Sequence, residues 1–114
     1  MHGYCSVQVI VFALSKRQCE QLAMNLAHMH INSIEEAKLV DAIFWSAMDI
    51  LPPQDRALPQ VSNALPMLRR GVGVHHSGLL PIVKEAIEVL FAEGLVKVLS
   101  TSCLYTDKLD RRAQ

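Results

Sequence analysis

Two short polar segments carry residue types suited to chemistry: Ser15-Lys16-Arg17 and His75-His76-Ser77-Gly78. Each follows a run rich in β-branched residues and precedes an apolar pattern of helical period, so each reads as a strand-to-helix corner. In α/β proteins such corners gather ligands. They stand at the carboxyl edge of the sheet, and the first N–H groups of the next helix point away from it. Hydroxyl, imidazole, ammonium and guanidinium groups together suit an anion, above all a phosphate. Parallel strands place both corners on one edge. A sugar–phosphate chain lying across them is then held through its backbone, with no base read. The candidate contacts are Ser15, Lys16, Arg17, His75, His76, Ser77 and Gly78, with Arg69-Arg70 close by in sequence.

Other chemistries fit less well. His75 and His76 are neighbours on an extended segment, so their side chains point opposite ways and rarely serve one metal ion. No cysteine or carboxylate stands at ligand spacing from them, which leaves hydrogen-bonding or packing roles. Cys5, Cys19 and Cys103 are odd in number and far apart, against a disulfide framework and in keeping with a reducing compartment. Cys19 alone stands beside a helix start, but on the apolar stripe, where a thiol is inert. Glu35-Glu36 and Glu85 with Glu88 suit the first turn of a helix better than an acid–base pair. No G-x-x-x-x-G-K-S/T run occurs, so the sequence holds no phosphate-cradling loop.

The elements that must hold the two corners are legible in outline. Val7 to Leu14 is a nearly continuous apolar run, the mark of a strand buried on both faces. Ser15 with Gln18 forms a capping box, with Leu14 and Cys19 as its hydrophobic staple. Cys19, Leu22, Ala23 and Leu26 then repeat at helical spacing. Ser33 with Glu36 is a second capping box, opening a helix with Val40, Ile43, Phe44, Ala47 and Leu51 on one face. Pro52-Pro53 ends it. Gln54 to Pro59 reads as a polar connection. Val61, Ala64, Leu65 and Leu68 mark a third stripe, where Pro66 predicts a kink or a late start. Val72 to Val74 is the second strand. Pro81 suits a first helical position, Val83, Ala86, Ile87, Leu90 and Phe91 form the next stripe, and Gly94 suits the C′ position. Leu95 to Leu99 is the third strand. Residues 100–114 are polar and lack a period, and read as a frayed tail.

This order, β-α-(α-α)-β-α-β, implies a parallel, right-handed α/β layout. About three strands leave long edges open, so residues 7–99 read as part of a domain. The 114 residues allow one core, and a hydrophobic share of 51% is that of a globular chain. Eleven basic residues balance eleven acidic ones, so there is no general basic excess and any phosphate contact must be local. No apolar run approaches the roughly 18 residues of a membrane span. Residues 1–6 lack the basic and apolar regions of a signal peptide.

At this point the residues resemble a known family. Val9 to Glu20 resembles motif IV of the Ski-like RNA helicases of superfamily 2, in particular their exosome-associated, TRAMP-type branch. Asp55 to Gln60 resembles that family's D-R-x-L-P-Q connection. Arg69 to Pro81, with Lys84-Glu85 and Ile87 to Phe91, resembles its R-R-G-x-G-x-H-H-x-G-L-L-P segment and the helix that follows. All three occur in order. The resemblance implies a partial second RecA-like domain of an ATP-dependent 3′→5′ RNA helicase that feeds RNA to the exosome. It implies ATP with magnesium bound between two RecA-like domains of the full-length parent, RNA held along one edge, exosome-associated partner proteins and a nuclear location, with a cytosolic Ski-complex helicase as the alternative. Residues 1–6 depart from the family. After Leu99 the family's motif V, with its glycine and asparagine, and the arginines of motif VI do not appear. The chain therefore reads as a shortened product, expected by itself neither to hydrolyse ATP nor to unwind RNA. The non-enzymatic alternative is a protein-interaction module that uses its open sheet edges.

Overall fold

The computed structural model describes residues 7–26 and 28–102. In chain order these form β1 (Val9–Ala13), α1 (Lys16–Leu26), α2 (Ile34–Met48), α3 (Pro53–Arg56), α4 (Pro59–Arg69), β2 (Val72–His75), α5 (Pro81–Ala92) and β3 (Val98–Ser102). The strands make one parallel sheet in the order β1-β3-β2, with Val9 and Val72 both opposite Val98. This is the α/β architecture of a partial RecA-like domain: a three-stranded parallel sheet flanked by helices.

Period-two alternation sorts the sheet residues between two layers. Val72 and Val74 pack with Ala13, Cys19 and Ala23, so α1 covers one face. Leu99 joins the larger cluster of Val40, Phe44, Met48, Leu68, Ile87 and Leu90, so α5 covers the other face with α2 and α4 stacked against it. Phe44, Met48 and Leu90 are fully buried. At about 1.5–3 kcal/mol for each such side chain, the α2–α4–α5 side supplies most of the hydrophobic stabilisation.

Local chemistry sets most element ends. The Ser33 side chain accepts from the Glu36 N–H, and the Glu36 carboxylate accepts from the Ser33 N–H, completing the expected box. Gly94 has φ +77°, and the Gly94 and Leu95 N–H groups donate to Phe91 and Leu90 carbonyls, closing α5 with a Schellman motif. Pro59 and Pro81 take first-turn positions in α4 and α5. Pro66 produces no late start, because α4 already runs from Pro59. The residue is exposed, so the carbonyl it leaves without a donor faces water.

Four expectations are corrected. The first strand is not buried on both faces. It forms one of the sheet's two edges, β2 being the other, and Val9 and Phe12 are about half exposed. Leu14 forms no staple, being 89% exposed while Cys19 is fully buried. The stretch read as a connection contains α3. The third strand is Val98–Ser102 rather than Leu95–Leu99. Leu95 and Val96 sit in the core below the sheet, and the buried Ser100 and Thr101 carry the pairing. Their hydroxyls donate to the carbonyls of Cys19 and His75, which makes polar residues tolerable there. The sheet thus includes the start of the segment read as a frayed tail. Residues 1–6 and 103–114, with Cys5 and Cys103, lie outside the described residues.

Candidate nucleic-acid interface

Because β1 and β2 both run parallel to β3, their carboxyl ends reach the same rim, about 10 Å apart with β3 between them. The first corner is Leu14-Ser15, leading into α1. Ser15 Oγ accepts the Gln18 N–H at 3.1 Å, and Gln18 Oε1 accepts the Leu14 N–H at 2.8 Å. A hydroxyl that accepts still has its proton to donate, so capping α1 leaves Ser15 able to bond a phosphate oxygen. Ser15, Lys16 and Arg17 are all exposed.

The second corner spans His76 to Leu80. Ser77 and Gly78 are exposed, whereas both histidines are buried. They diverge as alternation requires. His75 turns towards α5, its Nε2 2.7 Å from Glu88 Oε2, with both side chains fully buried. His76 turns towards α1, its Nε2 3.0 Å from Glu20 Oε2, and its Nδ1 accepts the Gly78 N–H at 2.9 Å. The Leu79 N–H goes to the His76 carbonyl and the Leu80 N–H to Gln60 Oε1 at 2.6 Å. These amides are spent inside the turn. The rim therefore offers an anion the Ser15 and Ser77 hydroxyls and the Lys16 and Arg17 cations, and the amides of Gly78, Leu79 and Leu80 add little.

The two corners touch. A Cβ placed on Gly78 would lie 3.2 Å from Lys16 Cδ and 3.0 Å from His76 Cε1, so the Lys16 stem already covers the Gly78 backbone. The seven candidates thus divide. Ser15, Lys16, Arg17, Ser77 and Gly78 present surface on one rim. His75 and His76 have none to present and support the turn from below. Arg69 and Arg70 do not join the cluster: they precede β2, at the opposite rim, where Arg69 Nε donates to Asp41 Oδ1 at 2.7 Å. Sequence reading overlooked Glu20 and Gln60 as partners of this corner, and it took Glu88 for a first-turn charge. The first turn of α5 has no acidic residue, and Glu88 lies buried in mid-helix against His75. Only Glu20 had a usable signal, since one turn beyond Lys16 puts it on the corner's side of α1.

Cys19 lies beneath the rim. Its thiol approaches the Ser100 carbonyl at 2.9 Å and the His75 carbonyl at 3.9 Å. Burial pushes the thiol above its ordinary value, more than its hydrogen bonds to Ser100 and His75 lower it, and the Glu20 charge adds to the rise. A thiol held protonated and covered is no nucleophile. Among the described residues no group of three or more His, Cys, Asp or Glu gathers to hold a metal ion.

Sequence likeness decides what this scaffold belongs to. Over 91 residues, 80% of the chain, it is 59% identical to the DExH-box ATP-dependent RNA helicase DExH9 of Arabidopsis thaliana. Over 91 residues it is also 50% identical to the exosome RNA helicase MTR4 of Homo sapiens and 43% identical to superkiller complex protein 2 of Mus musculus. The chain belongs to the Ski-like RNA helicases of superfamily 2. It spans about 9% of the length of the first two relatives and 7% of the third. No protein-family profile matches it. In this Ski-like helicase segment, the motif IV resemblance covers β1, the first corner and the start of α1. The D-R-x-L-P-Q resemblance covers α3 and the start of α4, and its Gln60 reaches the second corner through Leu80. The Ski-like segment beginning at Arg69 covers the end of α4, β2, the second corner and the start of α5. All three stretches thus meet at, or brace, one rim.

Proposed function

We propose that this chain supplies one RNA-contacting rim of the second RecA-like domain of an ATP-dependent 3′→5′ RNA helicase that delivers RNA to the exosome. The observation that carries the reading is the contact between the two corners, with Ser15, Lys16, Arg17, Ser77 and Gly78 exposed side by side. Those groups suit a sugar–phosphate backbone, so the recognition is independent of base sequence. His75 and His76 act from beneath, by fixing the turn. ATP and magnesium belong to the whole parent enzyme. The residues present do not build their site: the 114 residues hold no G-x-x-x-x-G-K-S/T run, and Glu20 at this rim is engaged by His76. The first RecA-like domain and exosome-associated proteins are the parent's further partners. The higher identity to DExH9 and MTR4 than to superkiller complex protein 2 favours the exosome branch and, with it, the nucleus.

The test is binding of the purified chain to an oligouridylate across a salt series. Affinity should be weak and fall steeply with salt. Lys16→Ala with Arg17→Ala should flatten the slope of log K against log salt by about 0.7 for each phosphate no longer neutralised. An unchanged slope rejects the rim. The second reading, a protein-interaction module, rests on the edge strand, where Val7, Val9, Phe12 and Leu14 expose apolar surface. A stoichiometric protein complex together with no RNA binding would favour it.

A further inference from the structure

We propose that Glu20 is a positioning residue for the RNA-contacting rim: it fixes the tautomer of His76, and that tautomer sets the shape of the Ser77-Gly78 turn. The proposal rests on the RNA reading above and adds a device that couples the two corners.

The hydrogen-bond pattern dictates the tautomer. His76 Nδ1 receives the Gly78 N–H at 2.9 Å, so it must lack a proton. A neutral imidazole in that state carries its hydrogen on Nε2. Nε2 faces Glu20 Oε2 at 3.0 Å, and an ionised carboxylate only accepts. Both ends of the ring thus require the same tautomer. The His76 side chain is 4% exposed, so water is a poor substitute for a missing partner, whereas the Glu20 side chain is 59% exposed. An exposed carboxylate adds little stability through its charge. What Glu20 contributes is the choice of which ring nitrogen accepts.

That choice reaches the surface within one residue. The bond from the residue 76 side chain to the residue 78 N–H has the span of an Asx turn, the arrangement asparagine builds alone. Here histidine builds it, and only in one tautomer. Gly78 has no spare room: a Cβ would meet His76 Nδ1 at 3.1 Å and Lys16 Cδ at 3.2 Å. Ring, turn and Lys16 stem therefore move together. If Nδ1 becomes a donor, Gly78 loses its acceptor, the turn opens, and Ser77 and Lys16 leave their places beside Ser15.

The experiment compares Glu20→Gln with Glu20→Lys in the full chain. Both substitutions fall on an exposed side chain. Glutamine keeps an oxygen that accepts from Nε2–H. Lysine only donates, which forces Nε2 to accept and moves the proton to Nδ1. Three quantities are read: the His76 tautomer from long-range 1H–15N correlations, hydrogen exchange at the Gly78 amide, and affinity for an oligouridylate. The parent and Glu20→Gln should show Nε2–H and a protected Gly78. Glu20→Lys should show Nδ1–H and roughly ten-fold faster exchange, the effect of removing one hydrogen bond. It should also bind RNA more weakly, although its added positive charge alone would strengthen binding. In a His76→Asn background the asparagine oxygen holds the Gly78 N–H directly, so Glu20→Lys should no longer alter exchange. Retention of Nε2–H and of Gly78 protection in Glu20→Lys overturns the relay. Tighter RNA binding by Glu20→Lys, despite an opened turn, overturns its positioning role. Failure of the parent itself to bind overturns the RNA reading, a result separate from the tautomer measurement.

Discussion

Glu88→Leu should cost about 3–5 kcal/mol of folding stability, because it removes one partner of a buried polar pair and leaves the other without water. Glu88 Oε2 lies 2.7 Å from His75 Nε2, with both side chains fully buried between α5 and β2. A small domain has about 5–15 kcal/mol in total, so the single change consumes a large part of it. The paired change His75→Leu with Glu88→Leu should recover most of the loss, since two packed apolar side chains need no partner. Urea unfolding of the parent, the single and the double variants measures both numbers. A single variant within about 1 kcal/mol of the parent would show that the pair does not hold β2 to α5. The rim depends on this pair at one remove, since His75 fixes the end of the strand from which His76 and Ser77 project.

Lys97→Met should cost about 3 kcal/mol at pH 7, and the loss should shrink in acid. Lys97 Nζ donates to Glu36 Oε2 at 2.8 Å and to Asn32 Oδ1 at 2.7 Å, at the rim opposite the proposed RNA contacts. Burial pushes the Glu36 carboxyl up. The Lys97 hydrogen bond, the Ser33 backbone N–H, the Lys97 charge and the Ser33 side chain together outweigh burial and hold it below its ordinary value. A depressed carboxylate stabilises the fold above its unfolded value of about 4.3, and that contribution disappears as pH falls through the lower folded value. The parent should therefore lose stability over that acid range. The variant lacks the charge that rewards ionisation of Glu36, so the gap between the two should narrow there. Thermal unfolding from pH 7 to pH 3 follows the gap. A constant gap would mean that Lys97 acts through packing alone.

How much of this was legible in the sequence depended on distance along the chain. The Ser33–Glu36 box, Gly94 and Pro81 were readable because each effect closes within one helical turn. The edge position of β1 was not, since an apolar run does not say which neighbours a strand receives. The slipped third strand has a similar cause. Leu95, Val96 and Leu99 are apolar because they fill the core, while the ladder extends into Ser100, Thr101 and Ser102, and the Ser100 and Thr101 hydroxyls find partners only once the sheet exists. At the site, the strand-to-helix corners and their common rim followed from parallel topology. The burial of His75 and His76 did not. Glu88 lies 13 residues from His75 and Glu20 lies 56 residues from His76, and no local pattern links them. Arg69 and Arg70 misled through nearness in sequence: a strand separates them from the histidines and carries them to the other rim.

The most direct measurement is a titration of the isotopically labelled chain with an oligouridylate, followed by amide chemical shifts. The shifts should concentrate at Ser15, Lys16, Arg17, Ser77 and Gly78, fade as salt is raised, and leave Asn32, Arg69, Arg70 and Lys97 unmoved. Shifts centred on that second group, or spread evenly over both rims, would contradict the account.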